Sequence, residues 1–208
     1  LRGVLQGILF RGMIIEWDAA NRPLRIIGTI SDISERKATD ERLRHMAQHD
    51  ALTNLPNRAL FSDRLQQELA TAKRNSERFA LIFLDLDKFK PINDNFGHNM
   101  GDRLLQTVAR RLEDSIRASD TAGRIGGDEF IILLPKLNVA EDALNLAEKI
   151  RINLRRPYVI DGHELNISCS LGVAIYPENG GDEVTLTKSA DQALYQAKEE
   201  GRNKTVRA

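Results

Sequence analysis

Residues 79–84 are apolar without a break, Phe79-Ala-Leu-Ile-Phe-Leu84, and the run ends on Asp85-Leu-Asp87. A continuous apolar run of this length predicts a central strand buried on both faces. Before it, Leu60, Phe61, Leu65 and Leu69 recur at helical spacing, and after it Leu104, Leu105, Val108, Ala109, Leu112 and Ile116 mark a second amphipathic helix. Residues 122–125 and 130–134 flank Gly126-Gly127 and predict a hairpin. Asn138 and Glu141 have the spacing of a capping box, opening a third helix that runs to about Leu154. Leu165, Ile167, Cys169, Leu171, Val173 and Ile175 alternate with small or polar residues and predict one long strand with a buried face. Leu186, Ala190, Ala193, Leu194 and Ala197 define a last helix.

Ahead of this pattern, residues 7–15 and 24–30 read as strands around a turn at 18–23, too few for a closed core. From Ser34 to about Gln48 the chain is charged and free of glycine and proline, which predicts a linker helix with Leu43, Met46 and Ala47 on its apolar side, solvated or part of a coiled coil. The expected class is α/β, a mostly antiparallel central sheet flanked by helices in the palm or nucleotide-cyclase manner, preceded by a partial β segment and the linker helix.

With 208 residues there is room for one ordinary domain and a smaller appendage. Lysine plus arginine balance aspartate plus glutamate, 30 against 30, so no global field draws nucleic acid or an anionic membrane, and phosphate binding must be local. The single cysteine, Cys169, lies in an apolar alternating run and reads as a small buried hydrophobe in a cytoplasmic protein. No segment is long and apolar enough to span a bilayer, and none reads as a signal peptide. Because the chain opens on Leu1, it reads as a piece of a longer protein.

The chemistry gathers at the end of the central strand. Asp85 and Asp87 follow the buried run, while Asp128 and Glu129 follow the Gly-Gly turn. If the strand and the hairpin are neighbours, Asp85 and Asp128 converge, and two carboxylates about 4 Å apart repel by roughly 4 kcal/mol at an effective dielectric near 20. A hard divalent cation relieves that repulsion, and magnesium favours a few such oxygens together with substrate phosphates. Taken singly, Asp87 also suits a turn cap and Glu129 a solvated position. The segment Lys88-Phe-Lys-Pro-Ile-Asn-Asp-Asn-Phe-Gly-His-Asn-Met-Gly-Asp102, broken by Pro91, Gly97 and Gly101, reads as a binding loop. Asn93 offers donors and an acceptor and Asp102 only accepts, a pair suited to guanine; the alternatives are a turn asparagine and a first-turn helix acid.

Arg124-Ile-Gly-Gly-Asp-Glu-Phe130 contains an intact GGDEF signature, which occurs by chance in a chain of this length about once in ten thousand. Asp50-Ala-Leu-Thr-Asn-Leu-Pro-Asn-Arg58, the stretch from Asp85 to Asp102, and Ala190-Asp-Gln-Ala-Leu-Tyr-Gln-Ala-Lys-Glu-Glu-Gly-Arg-Asn203 fall in the order of the same family. From residue 50 to about 205 the chain resembles a GGDEF diguanylate cyclase. Arg25-Ile-Ile-Gly-Thr-Ile-Ser-Asp-Ile-Ser-Glu-Arg-Lys37 resembles the end of a PAS sensor domain. The implied domains are a PAS remnant at 1–34, a linker helix at 35–48 and the GGDEF domain at 49–208.

The resemblance implies that Asp85, the Leu86 main-chain carbonyl and Asp128 hold magnesium, or manganese in its place, with Glu129 assisting at a second metal position. It gives Asn93 and Asp102 to guanine, Lys90 to the charge building on the phosphates, and Lys198 with Arg202 to the triphosphate; a solvated helix end is the plainer reading of that last pair. Asp128 would also help deprotonate the attacking hydroxyl. His98 suits a phosphate contact or loop packing equally. The implied reaction joins two GTP molecules into cyclic di-GMP across a homodimer of domains. The rival readings are a silent receptor for GTP or cyclic di-GMP, and a dimerisation unit. Arg117-Ala-Ser-Asp120 is separated from Gly126 by five residues, the spacing at which active family members often carry a product-binding feedback site. There Arg117 suits a phosphate or a guanine face and Asp120 suits guanine hydrogens, with Arg151 in support. The bland alternative is a helix-terminal arginine followed by a turn aspartate.

Overall fold

The computed structural model describes residues 7–208. Residues 1–6, the start of the expected sensor remnant, lie outside the described residues. The chain divides into two units, Leu1–Ala47 and Gln48–Ala208.

In the first unit β1 (Ile8–Trp17) and β2 (Pro23–Asp32) pair antiparallel. Asp18 closes their turn by accepting the N–H groups of Ala20 and Arg22 at 2.8 and 2.9 Å. Every residue of both strands is exposed. Helix α1 (Ser34–Gln48) follows, as its composition predicts, with no buried residue; Leu43 and Met46 are 60% and 67% exposed.

The second unit is built on β3 (Arg78–Asp87), buried at every position but the first. It lies inside a five-stranded sheet of order β4-β5-β3-β8-β9, in which β4 is Thr121–Gly126, β5 Glu129–Leu137, β8 Ser168–Tyr176 and β9 Thr205–Arg207. All pairings are antiparallel except β8 with β9. Alternation along β3 divides its side chains between two cores. Ile82, Leu84 and Leu86 pack with α4 (His98–Glu113) and α5 (Ala140–Leu154); Phe79, Leu81 and Phe83 pack with α2 (Arg58–Asn75) and α6 (Glu183–Glu199). Asp85 and Asp87 continue the second series and so emerge on the α6 side.

Three expectations need correction. The stretch from Lys88 to Asp102 is helical, forming α3 (Phe89–Phe96) and the first turn of α4. Pro91 is tolerated because it sits in the first turn of α3, where no intrahelical N–H is required. Gly97, at φ 83°, ends one helix and opens the next. Asn138 makes no capping box: α5 starts one residue late for it, with Val139 at the cap and no side-chain bond. The box forms instead on α6, where Asp182 accepts Thr185 N–H at 2.8 Å and Thr185 Oγ1 accepts Asp182 N–H at 3.3 Å. The long strand expected over 165–175 is divided, since a small hairpin of β6 (Tyr158–Ile160) and β7 (His163–Leu165) takes its beginning.

Arg111 of α4 braces the end of α5, donating to the carbonyls of Arg156 and Pro157 at 2.7 Å each while lying 3.7 Å above the Tyr158 ring. Burial pushes the Tyr158 hydroxyl up to about 12, and it donates to Leu154 O at 2.8 Å. Cys169 is buried, and burial pushes its thiol far up, as suits an inert core residue.

Candidate active site

Strand register brings the acids together. Asp85 stands opposite Glu129 on β5 and Ser170 on β8, while Leu86 N–H donates to Asp128 O at 3.3 Å, tying the Gly-Gly turn to the rim of β3. Gly127 has φ 51°, a conformation in which a side chain would be strained. The Asp85 carboxylate is buried, Asp128 is half-buried and Glu129 is exposed. Burial pushes the Asp85 carboxyl above its ordinary value; Lys198, whose Nζ lies 2.7 Å from Oδ2, opposes the shift, and the charges of Asp128 and Glu129 add to it. Asp85 thus already holds a cation, the Lys198 ammonium, in a place suited to a harder one.

Asp87 is spent on the scaffold. Its carboxylate accepts Ser168 Oγ at 2.6 Å, Ser170 Oγ at 2.7 Å and Asn203 N–H at 3.0 Å. Among the described residues no three His, Cys, Asp or Glu side chains cluster as a self-sufficient metal cage. A metal at this rim would rest on Asp85, Asp128 and the Leu86 carbonyl, with Glu129 near, leaving positions for phosphate oxygens and water as magnesium requires.

The α3–α4 corner supplies the base-recognition candidates. Gly101, buried in α4, faces α3 so closely that a Cβ there would overlap the Asn93 side-chain amide and touch Phe89. That approach places Asn93 beside the turn bearing Asp102, which is exposed and forms no ion pair among the described residues. His98 opens α4 and Lys90 is the second residue of α3, both exposed.

Lys198 and Arg202 do not share a helix face. Helix α6 stops at Glu199, and Gly201, Arg202 and Asn203 follow with φ of 106°, 64° and 49°. This turn is held from both sides: Asn203 N–H by Asp87, and the Asn203 carbonyl and side-chain oxygens by Arg151 Nη1 at 3.2 and 2.6 Å. Arg151 also grips Glu148.

Arg117 and Asp120 close a turn beyond α4, with Asp120 N–H donating to Arg117 O and Asp120 Oδ2 accepting Arg117 N–H, both at 2.9 Å. They line a cavity of about 550 Å³ with Lys136, Asn138, Asn145 and Lys149. Arg151 is not among its walls. Two residues along a helix is a rotation of about 200°, so Lys149 faces this cavity while Arg151 turns to Asn203.

An ion pair missed in the sequence joins Arg124 to Asp50 at 2.8 Å, with the Arg124 side chain only 12% exposed. Arg124 Nε and Nη2 also donate to Gly127 O at 3.0 and 2.8 Å. Burial raises the Asp50 carboxyl, but hydrogen bonds from Thr53 and Arg124 outweigh it and hold it below its ordinary value. The signal was present in Asp50-Ala-Leu-Thr53 and in the arginine two residues before the glycines.

The fold matches a known family. The model for "Diguanylate cyclase, GGDEF domain" matches residues 47–204, and the chain belongs to the GGDEF diguanylate cyclase family. It is 49% identical over 158 residues to the bifunctional diguanylate cyclase/cyclic di-GMP phosphodiesterase MucR of Pseudomonas aeruginosa, covering 76% of this chain and 23% of MucR. It is 42% identical over 161 residues to the diguanylate cyclase TpbB of the same species, covering 77% of this chain and 37% of TpbB. The chain therefore spans 23% to 37% of the length of these relatives. The coiled coil and GGDEF domain of DgcB from Caulobacter crescentus, solved with c-di-GMP, superposes with a TM-score of 0.78 at 31% identity, covering 85% of this chain and 93% of that one.

Proposed function

We propose that this chain is an active diguanylate cyclase that condenses two GTP into cyclic di-GMP and two pyrophosphates. The observation that carries the reading is the rim of β3: a buried carboxylate, Asp85, held by Lys198 and flanked by the acids of a pinned Gly-Gly turn. Bound at Asp85, the Leu86 carbonyl and Asp128, with Glu129 assisting, magnesium or manganese supplies charge neutralisation at the transferring phosphorus. Lys198 then exchanges Asp85 for phosphate oxygens, which Lys90 and Arg202 also contact. Asn93 and Asp102 hold the guanine, and His98 lies along the same corner.

The 3′-hydroxyl of one GTP attacks the α-phosphorus of the other, its proton passing toward Asp128. The new O–P bond forms as the bond to the bridging β-phosphate oxygen breaks, and pyrophosphate leaves. One nucleotide site per chain requires two domains face to face, each presenting a GTP, and a second attack closes the ring. Arg117 and Asp120 form a feedback site for the product, with Lys149 on the same cavity wall. We assign β1, β2 and α1 to the end of a PAS sensor and its linker helix.

The test is incubation of the chain with GTP and magnesium at high concentration, with nucleotides separated by chromatography. Wild-type chain yields cyclic di-GMP and Asp128→Ala does not. Binding of GTP without turnover would make the chain a receptor and overturn the reading.

A further inference from the structure

Away from the rim, two carboxylates lack the partners that buried acids require. Glu68 of α2 and Glu77, just before β3, each keep one oxygen shielded from solvent with no hydrogen-bond donor, Oε1 in the first and Oε2 in the second. A buried carboxylate oxygen left unpaired costs free energy, and a second anionic charge within reach adds to the cost. Burial pushes the Glu68 carboxyl above its ordinary 4.5, the Glu77 charge pushes it further, and the Lys136 ammonium opposes both. A proton held between two such acids supplies the missing donor, and the pair then titrates as a unit.

Lys136 is placed by a bulge. In the β3–β5 ladder Ala80 stands opposite Leu134 but Arg78 opposite Leu137, so β5 carries one residue more than β3 between these pairs, and Lys136 takes φ 53°. A bulge re-aims the side chain it carries. Lys136 is exposed and lines the cavity of about 550 Å³ that Arg117 and Asp120 also line. One ammonium therefore lies within reach of the Glu68–Glu77 pair and on the wall of the proposed product cavity. The charges on the other elements packed against α2 have partners of their own. Arg64, one turn before Glu68, donates to Thr121 of β4 at 3.1 Å, and Arg124 of the same strand grips Asp50. Arg78 of β3 faces Glu178, and Glu183 of α6 accepts from Ser62 and Gln66. Lys73 and Arg74 are exposed in the last turn of α2. Lys136 is the cation whose charge reaches Glu68.

We propose that Lys136 turns from the Glu68–Glu77 pair to a phosphate of the product when the Arg117–Asp120 cavity fills, and that the pair takes up a proton from water as it does. The proposal rests on the feedback-site reading above. Loss of the neighbouring cation makes the doubly ionised pair harder to sustain, so protonation follows. Binding that takes up protons strengthens as pH falls. The window opens above 4.5, and feedback loosens as pH rises through the range in which the pair ionises. An uptake of about half a proton changes affinity about threefold per pH unit.

Calorimetric titration of the chain with cyclic di-GMP in buffers of differing ionisation heat counts the protons taken up. Wild type takes up a fraction of a proton, and its affinity falls about threefold per pH unit above about pH 5. Lys136→Gln binds about fivefold more weakly and without uptake. Glu68→Gln and the Glu68→Gln, Glu77→Gln double variant take up none, their affinity is flat with pH, and their initial turnover equals that of wild type. Carbon-13 titration of the Glu68 carboxyl in the ligand-free chain gives a second reading: its midpoint rises in Lys136→Gln and falls in Glu77→Gln. Circular dichroism checks each fold. Arg117-dependent product binding without proton uptake, uptake that persists in the double variant, or a Glu68 midpoint indifferent to Lys136→Gln overturns the proposal and leaves the feedback site in place. No product binding by wild type overturns the feedback reading itself, and the proposal with it.

Discussion

Gly101→Ala separates folding from recognition. Alanine in the interior of α4 is favoured over glycine by about 0.8–1 kcal/mol through helix propensity. Its Cβ meets the Asn93 amide, the movable end of a side chain, so the overlap is relieved by rotating Asn93 away instead of by moving backbone. Contact with Phe89 adds a smaller overpacking cost, of the order of 1 kcal/mol. The two stability terms nearly cancel, and urea midpoints of variant and parent should agree closely. Recognition has no such compensation. If Asn93 holds guanine as proposed, turning it aside removes those hydrogen bonds, and each unmade bond to a buried polar partner costs about 1–3 kcal/mol. The KM for GTP rises roughly 10- to 100-fold, and the preference for GTP over ATP narrows. Steady-state kinetics with both nucleotides and a urea melt measure the two effects. An unchanged KM and unchanged selectivity in a folded variant would refute the placing of guanine at the α3–α4 corner.

Asp85→Asn abolishes synthesis yet raises the melting temperature at pH 7. The folded Asp85 carboxyl is pushed up, so its contribution is most favourable below the unfolded value near 3.8 and is lost as pH rises through the folded value; a melting temperature at or below wild type at pH 7 contradicts this. Arg124→Ala costs about 1–3 kcal/mol by stripping partners from Asp50 and Gly127. Asp50 is shifted the other way, so the pair's contribution is present above 3.8 and fades as pH falls through the lower folded value; urea melts of variant and parent should converge at acid pH. Arg117→Ala keeps initial turnover but relieves product inhibition, and calorimetry showing unchanged cyclic di-GMP affinity would remove the feedback site. Lys149→Ala weakens product binding, whereas Arg151→Ala lowers the melting temperature with product affinity intact.

The sequence carried most of the rim because strand signals and acids coincide there. β3 is apolar enough to be buried on both faces, and Gly126-Gly127 flanked by strand patterns admits little but a hairpin. What escaped was set by tertiary context. Pro91, Gly97 and Gly101 look like loop punctuation, yet one sits in a first turn, one joins two helices and one lets α3 and α4 touch. Lys198 and Arg202 have helical spacing, but α6 ends between them. Three-residue strands such as β9 lie below the length at which alternation can be read. Charge alone points to Arg151 as a product contact, and charge carries no helical phase.

The acidic turn is mounted before any ligand arrives, by Arg124 on Gly127 and Asp50 and by Leu86 on Asp128. A nucleotide bound there, as proposed, would need no free energy for ordering the backbone that carries the acids. In calorimetric terms, the heat capacity of GTP binding reflects only the surface the ligand covers, without the large negative contribution of coupled folding. The binding enthalpy should accordingly drift little with temperature, the signature of a site cast in advance.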